Sequence, residues 1–400
     1  MPKEPKKRTG FLNTLEPEQK VALDELWRVL FEKFETNDVE ETESPTDNTT
    51  EANRKSGFGK FFHRNKTEKE EAKQTKNPSP EPETLANQQS LRESFWRFVL
   101  GDHPDSILLR YLRARKFNVS KASKMLMSTL KWRIQNDVTG IIEKGEKIVS
   151  THVLQIGKGY LYGVDKEGRP VSFCHVRLHN KEDEPIEELE KFTIWLMETA
   201  RLFLIPPADC VSVVFDMKDF SLSNMDYPFV SFMNKVLESH YPESLGVALI
   251  LGAPWVFSGV WKVVSPLLDP VVASKVQFLD KSEDLRKYIE PNMLLKQFGG
   301  ENPYEFKFIP PQAGENDIMN DTEAKAQAYE QWWKSIDHFE QVTRLRLATP
   351  SPEVEAQREA SAQQLRADYF KLDPYIRART VYHRLGILQN DGSVNWQARA

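Results

Sequence analysis

YPESLGVALILGAPWVFSGVWKVVSPLLDPVVASKVQFL, Tyr241 to Leu279, decides the architecture of this chain. Its uncharged run, Leu245 to Trp261, lies between two charged landmarks, Glu243 and Lys275. By hydropathy alone the run reads as a membrane span, which needs about 20 apolar residues. Gly252, Ala253 and Pro254 interrupt its middle; proline removes a backbone donor and disfavours helix at the residue before it. Val247 to Leu251 is short, apolar and partly β-branched, the pattern of a strand buried on both faces. Ser258 then caps a helix, Gly259 to Ser265, which Pro266 ends. That helix carries Val260, Trp261, Val263 and Val264, with Lys262 able to keep its ammonium in water. The stretch reads as a strand at the wall of an apolar cavity, followed by a movable lid helix. The N-terminus, MPKEPKKRTG, lacks the apolar core of a signal peptide.

Composition narrows the class. A chain of 400 residues with 40% hydrophobic content has room for one large domain or two moderate ones plus tails. A net charge of −5 argues against a dedicated nucleic-acid binder. The two cysteines, Cys174 and Cys210, make neither a zinc spacing nor a disulfide framework, which fits a reducing, cytoplasmic compartment.

Five segments follow along the chain. Residues 1–36 hold an amphipathic helix over 16–35, with Leu23, Trp27, Leu30 and Phe34 on one face for the main body or for a partner helix. Residues 37–88 read as a disordered charged linker. Within it, Arg54 to Lys66 (RKSGFGKFFHRNK) interleaves basic residues with Phe58, Phe61 and Phe62, as a contact for an anionic membrane or as a solvated linker. Residues 89–135 form a helical unit: Leu91 to Leu100, then a helix capped by Asp105, then one capped by Asn118 or Ser120. Residues 148–305 alternate strands and helices, an α/β pattern. Tyr160–Val164 and Val171–Val176 flank the turn 165–170, followed by helix Glu187–Leu204, strand Val211–Asp216, helix Pro228–His240, and strands Val247–Leu251 and Val276–Leu279. Residues 312–400 are a helical extension, in which Trp332, Trp333, Ile336, Phe339, Val342 and Leu345 suggest one buried face and KLDPYIRARTVYHR a docked end.

Catalytic signatures are missing: there is no P-loop, nucleophile elbow, HExxH or CxxC. His175 and His179 can share a strand face, but two ligands make no metal centre, and His240 beside Glu243 lacks a nucleophile. No catalytic residue, metal or cofactor is expected. What stands out is Arg115, Lys116, Glu243 and Lys275, charges set among apolar neighbours. Burying charge is costly unless it is paired or meets a polar ligand. A structural ion-pair network and a phosphorylated, hydroxylated head group both satisfy these four.

The chain resembles the CRAL-TRIO lipid-binding and lipid-transfer family. Leu108 to Arg133 (LLRYLRARKFNVSKASKMLMSTLKWR) is similar to its N-terminal helical unit. DKEGRPV, VVFDMKDFSLSNM and the 240–276 stretch match its lipid-binding lobe in order, and Asn292 to Asn302 (NMLLKQFGGEN) its closing segment. NMDYPFV, HYPESLG and KLDPYIRAR, with long extensions at both ends, resemble fungal phosphatidylinositol transfer proteins of the chitin-synthase-rescue type. The resemblance implies a mostly parallel sheet floor and a gate helix near Phe257 to Leu268. Val211, Val213, Phe257, Val260, Trp261, Val264, Leu267, Leu268 and Val272 would line the cavity and gate. It also places the family's phosphoinositol-binding residues on Arg115, Lys116, Glu243 and Lys275, with Val272 where inositol-binding members have threonine in DPxTxSK. The choline-binding pattern is lost: Val211 and Val213 replace its Ser-x-Thr, and Ser172 and Leu161 stand at its tyrosine positions.

The function so implied is phosphatidylinositol binding and transfer by a monomer in the cytoplasm. It would visit endosomal or other endomembranes transiently and present lipid to a phosphoinositide kinase or another lipid-modifying enzyme. Two alternatives stand beside it: a carrier or sensor of a neutral isoprenoid or sterol such as squalene, and a scaffold whose tails recruit partners.

Overall fold

A computed structural model describes residues 9–37 and 90–398, so the linker expected over 37–88, apart from Asn37, and its Arg54–Lys66 cluster lie outside the described residues. Five strands form one sheet in the order β1 (Gly159–Val164), β2 (Pro170–His175), β3 (Val211–Asp216), β4 (Leu245–Leu251) and β5 (Val276–Leu279). Among the described residues, six helices precede it: α1 (Pro17–Thr36), α2 (Leu91–Val99), α3 (Pro104–Ala114), α4 (Val119–Gln135), α5 (Val138–Lys144) and α6 (Thr151–Gln155). Between strands lie α7 (Ile186–Ala200), α8 (Tyr227–His240), α9 (Phe257–Val264) and α10 (Pro270–Ser274). After the sheet come α11 (Thr322–Ala348), α12 (Pro352–Ile376) and α13 (Val381–Arg384).

β1 and β2 are the antiparallel hairpin read from the 165–170 turn, and every later pair is parallel. Asp165 fixes the turn by accepting the N–H groups of Glu167 (2.9 Å) and Arg169 (3.0 Å) and the Arg169 Nε–H (2.6 Å). Parallel neighbours need crossovers, and crossovers of one hand across a sheet of sequential order all fall on one face. The register aligns Gly159, Cys174, Phe215, Ile250 and Phe278 on that face. α7 covers its β1 end, where a Cβ on Gly159 would stand 3.6 Å from Leu196 and 3.7 Å from Phe192. α9 covers its far end, where Val260 packs with Ile250. The opposite face is closed by the chain after the sheet: Phe298 stacks on Phe173 at 5.1 Å and Phe306 on Tyr160 at 4.6 Å.

The terminal segments join the same core. α1 buries Leu23, Trp27 and Leu30 against the main body, which decides between the two readings of its apolar face. The C-terminal end is docked: the Leu161 N–H donates to the Tyr382 hydroxyl (2.8 Å), and the Tyr162 hydroxyl donates to the Trp396 carbonyl (2.6 Å).

Several local expectations need correction. Asp105 does not cap α3; His103 does, its Nδ1 accepting the Asp105 N–H at 3.1 Å. The buried Asp105 carboxylate is instead taken by Trp27 Nε1 (2.7 Å) and by both terminal nitrogens of Arg358 (2.6 Å each). Asn118, of the two candidates, caps α4. Helix α7 stops at Ala200 and tightens into a 3-10 turn, where Arg201 donates to the carbonyls of Phe98 (2.6 Å) and Val99 (3.0 Å). Ser258 lies inside α9 rather than capping it, because the Phe257 N–H already closes a turn onto the Pro254 carbonyl (2.9 Å). In α11 the buried stripe runs out before Leu345, which is 45% exposed. No described helix is long and apolar enough to cross a membrane, and the uncharged run at 245–261 divides between β4 and α9.

Candidate functional site

The site grows out of an asymmetry along the middle strand. In β3, Ser212, Val214 and Asp216 are buried, whereas Val211, Val213 and Phe215 on the crossover face are only half-buried. Apolar side chains at the centre of a sheet usually end up covered; here the crossover face carrying α7, α8 and α9 leaves these three only part-covered. Helix α8, the crossover from β3 to β4, has Phe229, Val230, Phe232, Met233 and Leu237 half-buried, while only Val236 and His240 are buried. Helix α9 is held more lightly still: Val260 alone is buried, in a small cluster with Met217, Phe220 and Ile250, with Phe257 and Val264 partly buried beside it. Phe257 meets Phe220 edge-on at 5.5 Å, and Trp261 meets Phe278 at 5.1 Å. Leu268 and Val272 are half-buried, but Leu267 is turned outward, 51% exposed, as is Trp255 at 88%. Among the described residues one side-chain bond ties the end of this segment to α8, from Asn234 Nδ2 to the Leu267 carbonyl at 2.8 Å.

The charged residues lie at the other end of this face, where β3, β4 and β5 begin. Glu243 precedes β4 and Lys275 precedes β5; Lys275 Nζ donates to Glu243 Oε2 at 3.0 Å, and each side chain is about one-fifth exposed. The contact uses one of three ammonium protons and one carboxylate oxygen, leaving capacity for a polar ligand. Arg115 and Lys116 follow α3. The Arg113 guanidinium brings that helix end to the start of β3 by pairing with Asp209 at 2.7 Å, and the Tyr111 hydroxyl donates to the His240 carbonyl at 3.4 Å. Arg115 is half-buried, its Nη1 donating only to the Ala114 carbonyl (3.1 Å), and Lys116 is exposed. Neither forms an ion pair among the described residues. The structure thus joins Glu243 to Lys275 and sets Arg115 and Lys116 on the same side of the sheet without direct contact to that pair. Lys116 and Glu243 have left-handed backbone, φ 50° and 55°, a conformation non-glycine residues seldom adopt outside functional sites and tight turns.

The histidines take other roles. His175 pairs with Asp216 (2.9 Å) and His179 with Asp226 (3.5 Å), so they are not brought together. His240 lies flat on Trp132 at 4.3 Å, and burial, with Lys235 and Arg133 nearby, pulls it down to about 4, so it is neutral at neutral pH.

Two supports escaped the sequence reading. The Tyr241 hydroxyl donates to Glu198 Oε1 at 2.7 Å. Gly246 lies under the Arg169 side chain, where an added Cβ would stand 2.7 Å from Arg169 Cδ. Both belong to the quoted YPESLG string, and the glycine directly before an apolar strand was the available signal for a close approach.

A mostly parallel five-strand sheet with helices on its crossover face and a helical unit before it defines a mixed α/β lobe, and comparison with known proteins gives it a family. Residues 154–300 match the family described as CRAL/TRIO domain, and residues 58–128 match CRAL/TRIO, N-terminal domain. A CRAL-TRIO domain-containing protein of Schizosaccharomyces pombe is 42% identical over 309 residues, 75% of this chain and 69% of that protein. The phosphatidylinositol transfer protein CSR1 of Eremothecium gossypii is 34% identical over 313 residues, 75% of this chain and 72% of that protein. The crystal structure of Sfh5 superposes with a TM-score of 0.44 at 18% identity, over 56% of this chain and 77% of that one, a likeness too loose to argue from. The chain belongs to the CRAL-TRIO family, whose members are lipid-transfer proteins and not enzymes.

Proposed function

We propose that the protein binds phosphatidylinositol and transfers it between membranes. The phosphorylated inositol would lie at the charged end, with Arg115, Lys116 and Lys275 on phosphate and Glu243 accepting from the hydroxyls. The acyl chains would run along Val211, Val213, Phe215 and Ile250 under α9. The observation that carries the reading is the polarity of the crossover face: cations and a carboxylate where the strands begin, half-buried apolar side chains under a lightly held helix where they end. Each acyl CH₂ kept from water is worth about 0.8 kcal/mol, so two long chains need cover worth on the order of 20 kcal/mol. The apolar outer surface of the lid, Trp255, Val263 and Leu267, suits a helix that opens at a lipid surface. The name of the Eremothecium gossypii relative supports the same ligand. On this reading the carrier works in the cytoplasm, touches endomembranes transiently and hands lipid to a modifying enzyme.

Lys275→Ala tests it: phosphatidylinositol transfer between vesicles should be lost while the circular dichroism spectrum holds. Transfer at the wild-type rate would remove these four residues from the head-group site.

A second reading, a neutral isoprenoid or sterol ligand, is favoured by Val211 and Val213 on the crossover face and by the Glu243–Lys275 pair, which can satisfy itself. Mass spectrometry of lipids that co-purify with the protein separates the two. Phosphatidylinositol that disappears in Lys275→Ala supports the first, and a neutral lipid that persists in it supports the second.

A further inference from the structure

We infer that Tyr241 and Glu198 are positioning residues of the head-group site: together they fix where the Glu243 carboxylate stands. The inference rests on the head-group reading above.

Glu243 needs outside support, because its left-handed backbone, φ 55°, is not one an L-residue adopts by local preference. The turn that carries it is pinned on both sides. Downstream, the Val211 N–H donates to the Ser244 carbonyl at 2.8 Å and ties the turn to β3. Upstream, Tyr241 ends α8, is 5% exposed, and points its hydroxyl at Glu198. Glu198, only 1% exposed, also accepts from Arg133 Nη1 (2.6 Å), Arg133 Nη2 (3.2 Å) and Arg201 Nη1 (2.9 Å). Despite its burial, those two guanidiniums hold its carboxyl far below the usual range. It is therefore a permanent anion, and a hydrogen bond to a charged acceptor is among the stronger kinds. Between Tyr241 and Glu243 stands Pro242, whose ring locks one backbone torsion, so the anchor at Tyr241 acts on Glu243 through a stiff link.

The anchor reaches further. Arg133 and Trp132 are neighbours on α4, and Trp132 meets Tyr241 edge-on (6.0 Å) while lying flat on His240. Thr129, one turn earlier, donates to the Ser239 carbonyl at 3.2 Å. The last turn of α8 is thus held by the helical unit in which Arg115 and Lys116 follow α3. One buried network sets both halves of the charged end in register, although neither Tyr241 nor Glu198 is free to touch a ligand.

The test is a double-mutant cycle on the full-length chain, read as phosphatidylinositol transfer between vesicles. Tyr241→Phe removes one oxygen and leaves both arginines on Glu198, so the fold is retained, which the urea midpoint checks. In the wild-type background Tyr241→Phe should slow transfer about tenfold. In a Glu243→Gln background it should change transfer less than about twofold, because the residue acts through Glu243. An equal loss in both backgrounds, or no loss in either, overturns the inference while the head-group reading stands. A wild-type protein that transfers no phosphatidylinositol overturns that reading, and the positioning role falls with it.

Discussion

The two edges of the sheet are held by opposite means. Around β1 the wall is interlocked over long sequence separations. Asp105 gathers Trp27, which lies 78 residues away, and Arg358, which lies 253 away. Tyr382 caps the β1 edge, and Arg377 binds Asp373 (2.8 Å) and the Tyr369 hydroxyl (3.1 Å). Trp27, Trp332, Phe339, Tyr369 and Tyr382 sit in one continuous core with the sheet. At the far edge, α9 rests on one buried valine and the aromatic contacts of Phe257 and Trp261, and among the described residues one side-chain hydrogen bond ties the turn after it to α8. Stability is seldom uniform across a fold, and segments that must move come from its weak end. On the proposed reading a carrier needs this division, because α9 would have to open without loosening the rest of the sheet. The contrast also alters what a truncation means. Removing residues 312–400 to isolate a scaffolding role would strip Trp332, Phe339 and Tyr369 from the core, so that deletion cannot separate partner recruitment from folding.

The sharpest way to break the contrast is to strike the wall. Arg358→Ala leaves the Asp105 carboxylate, 4% exposed, without its guanidinium partner. Removing one member of a buried pair costs about 3–5 kcal/mol, since the other charge stays buried. Urea denaturation should show that loss. A change below about 1 kcal/mol would mean that the C-terminal extension adds little to the wall.

Protonation gives a smaller effect. His240 is pulled down to about 4, and His383 is also held well below the ordinary value by burial and by Arg379, Arg377 and Arg384. A histidine whose folded pKa is depressed binds fewer protons folded than unfolded. Its contribution is therefore complete above the unfolded value near 6.5 and declines as pH falls towards the folded value. For His240 alone the decline from pH 7 to 5 is about 1–2 kcal/mol, the lower end allowing for water that reaches the ring. His240→Phe keeps a ring against Trp132 and should flatten the unfolding free energy over that interval by about this amount. An unchanged slope would place the pH dependence elsewhere, and at His383 first.

These two sites also show where the sequence is legible. Strands β3 and β4 and helix α1 were readable because period and apolar content are local properties: Val211–Asp216 matches its strand end to end, and Val247–Leu251 misses only the first two residues of its own. The motif around Tyr241–Lys275 likewise pointed to Glu243 and Lys275, which meet at 3.0 Å. What failed was anything decided by a distant partner. Asp105 reads as a cap because it stands at a helix start, and nothing nearby announces an arginine from α12. Glu198 reads as one more polar residue on an amphipathic helix, although Arg133, Arg201 and Tyr241 all converge on it. Leu267 matched the apolar pattern of the gate yet faces outward, because the short α9 has already ended and Ser265–Leu267 winds as a 3-10 turn with a different phase.

The smallest expected change in stability, and the one that sharpens the contrast most, is at the lid. Asn234→Ala removes the hydrogen bond to the Leu267 carbonyl, a partly exposed bond worth about 0.5–1 kcal/mol. Global unfolding should scarcely register it, because the lid adds little to the core that unfolds cooperatively. Lipid exchange should register it fully: if this bond breaks before the gate opens, its loss raises the open population about two- to fivefold, and transfer rises by the same factor while gate opening limits the rate. Trp261, 5.1 Å from Phe278, is a reporter on the moving element itself, and its accessibility to a soluble quencher should increase in parallel. Faster transfer without greater quenching would locate the limiting step away from α9. Greater quenching without faster transfer would mean that the lid already opens faster than lipid leaves, and a step other than opening would then set the rate.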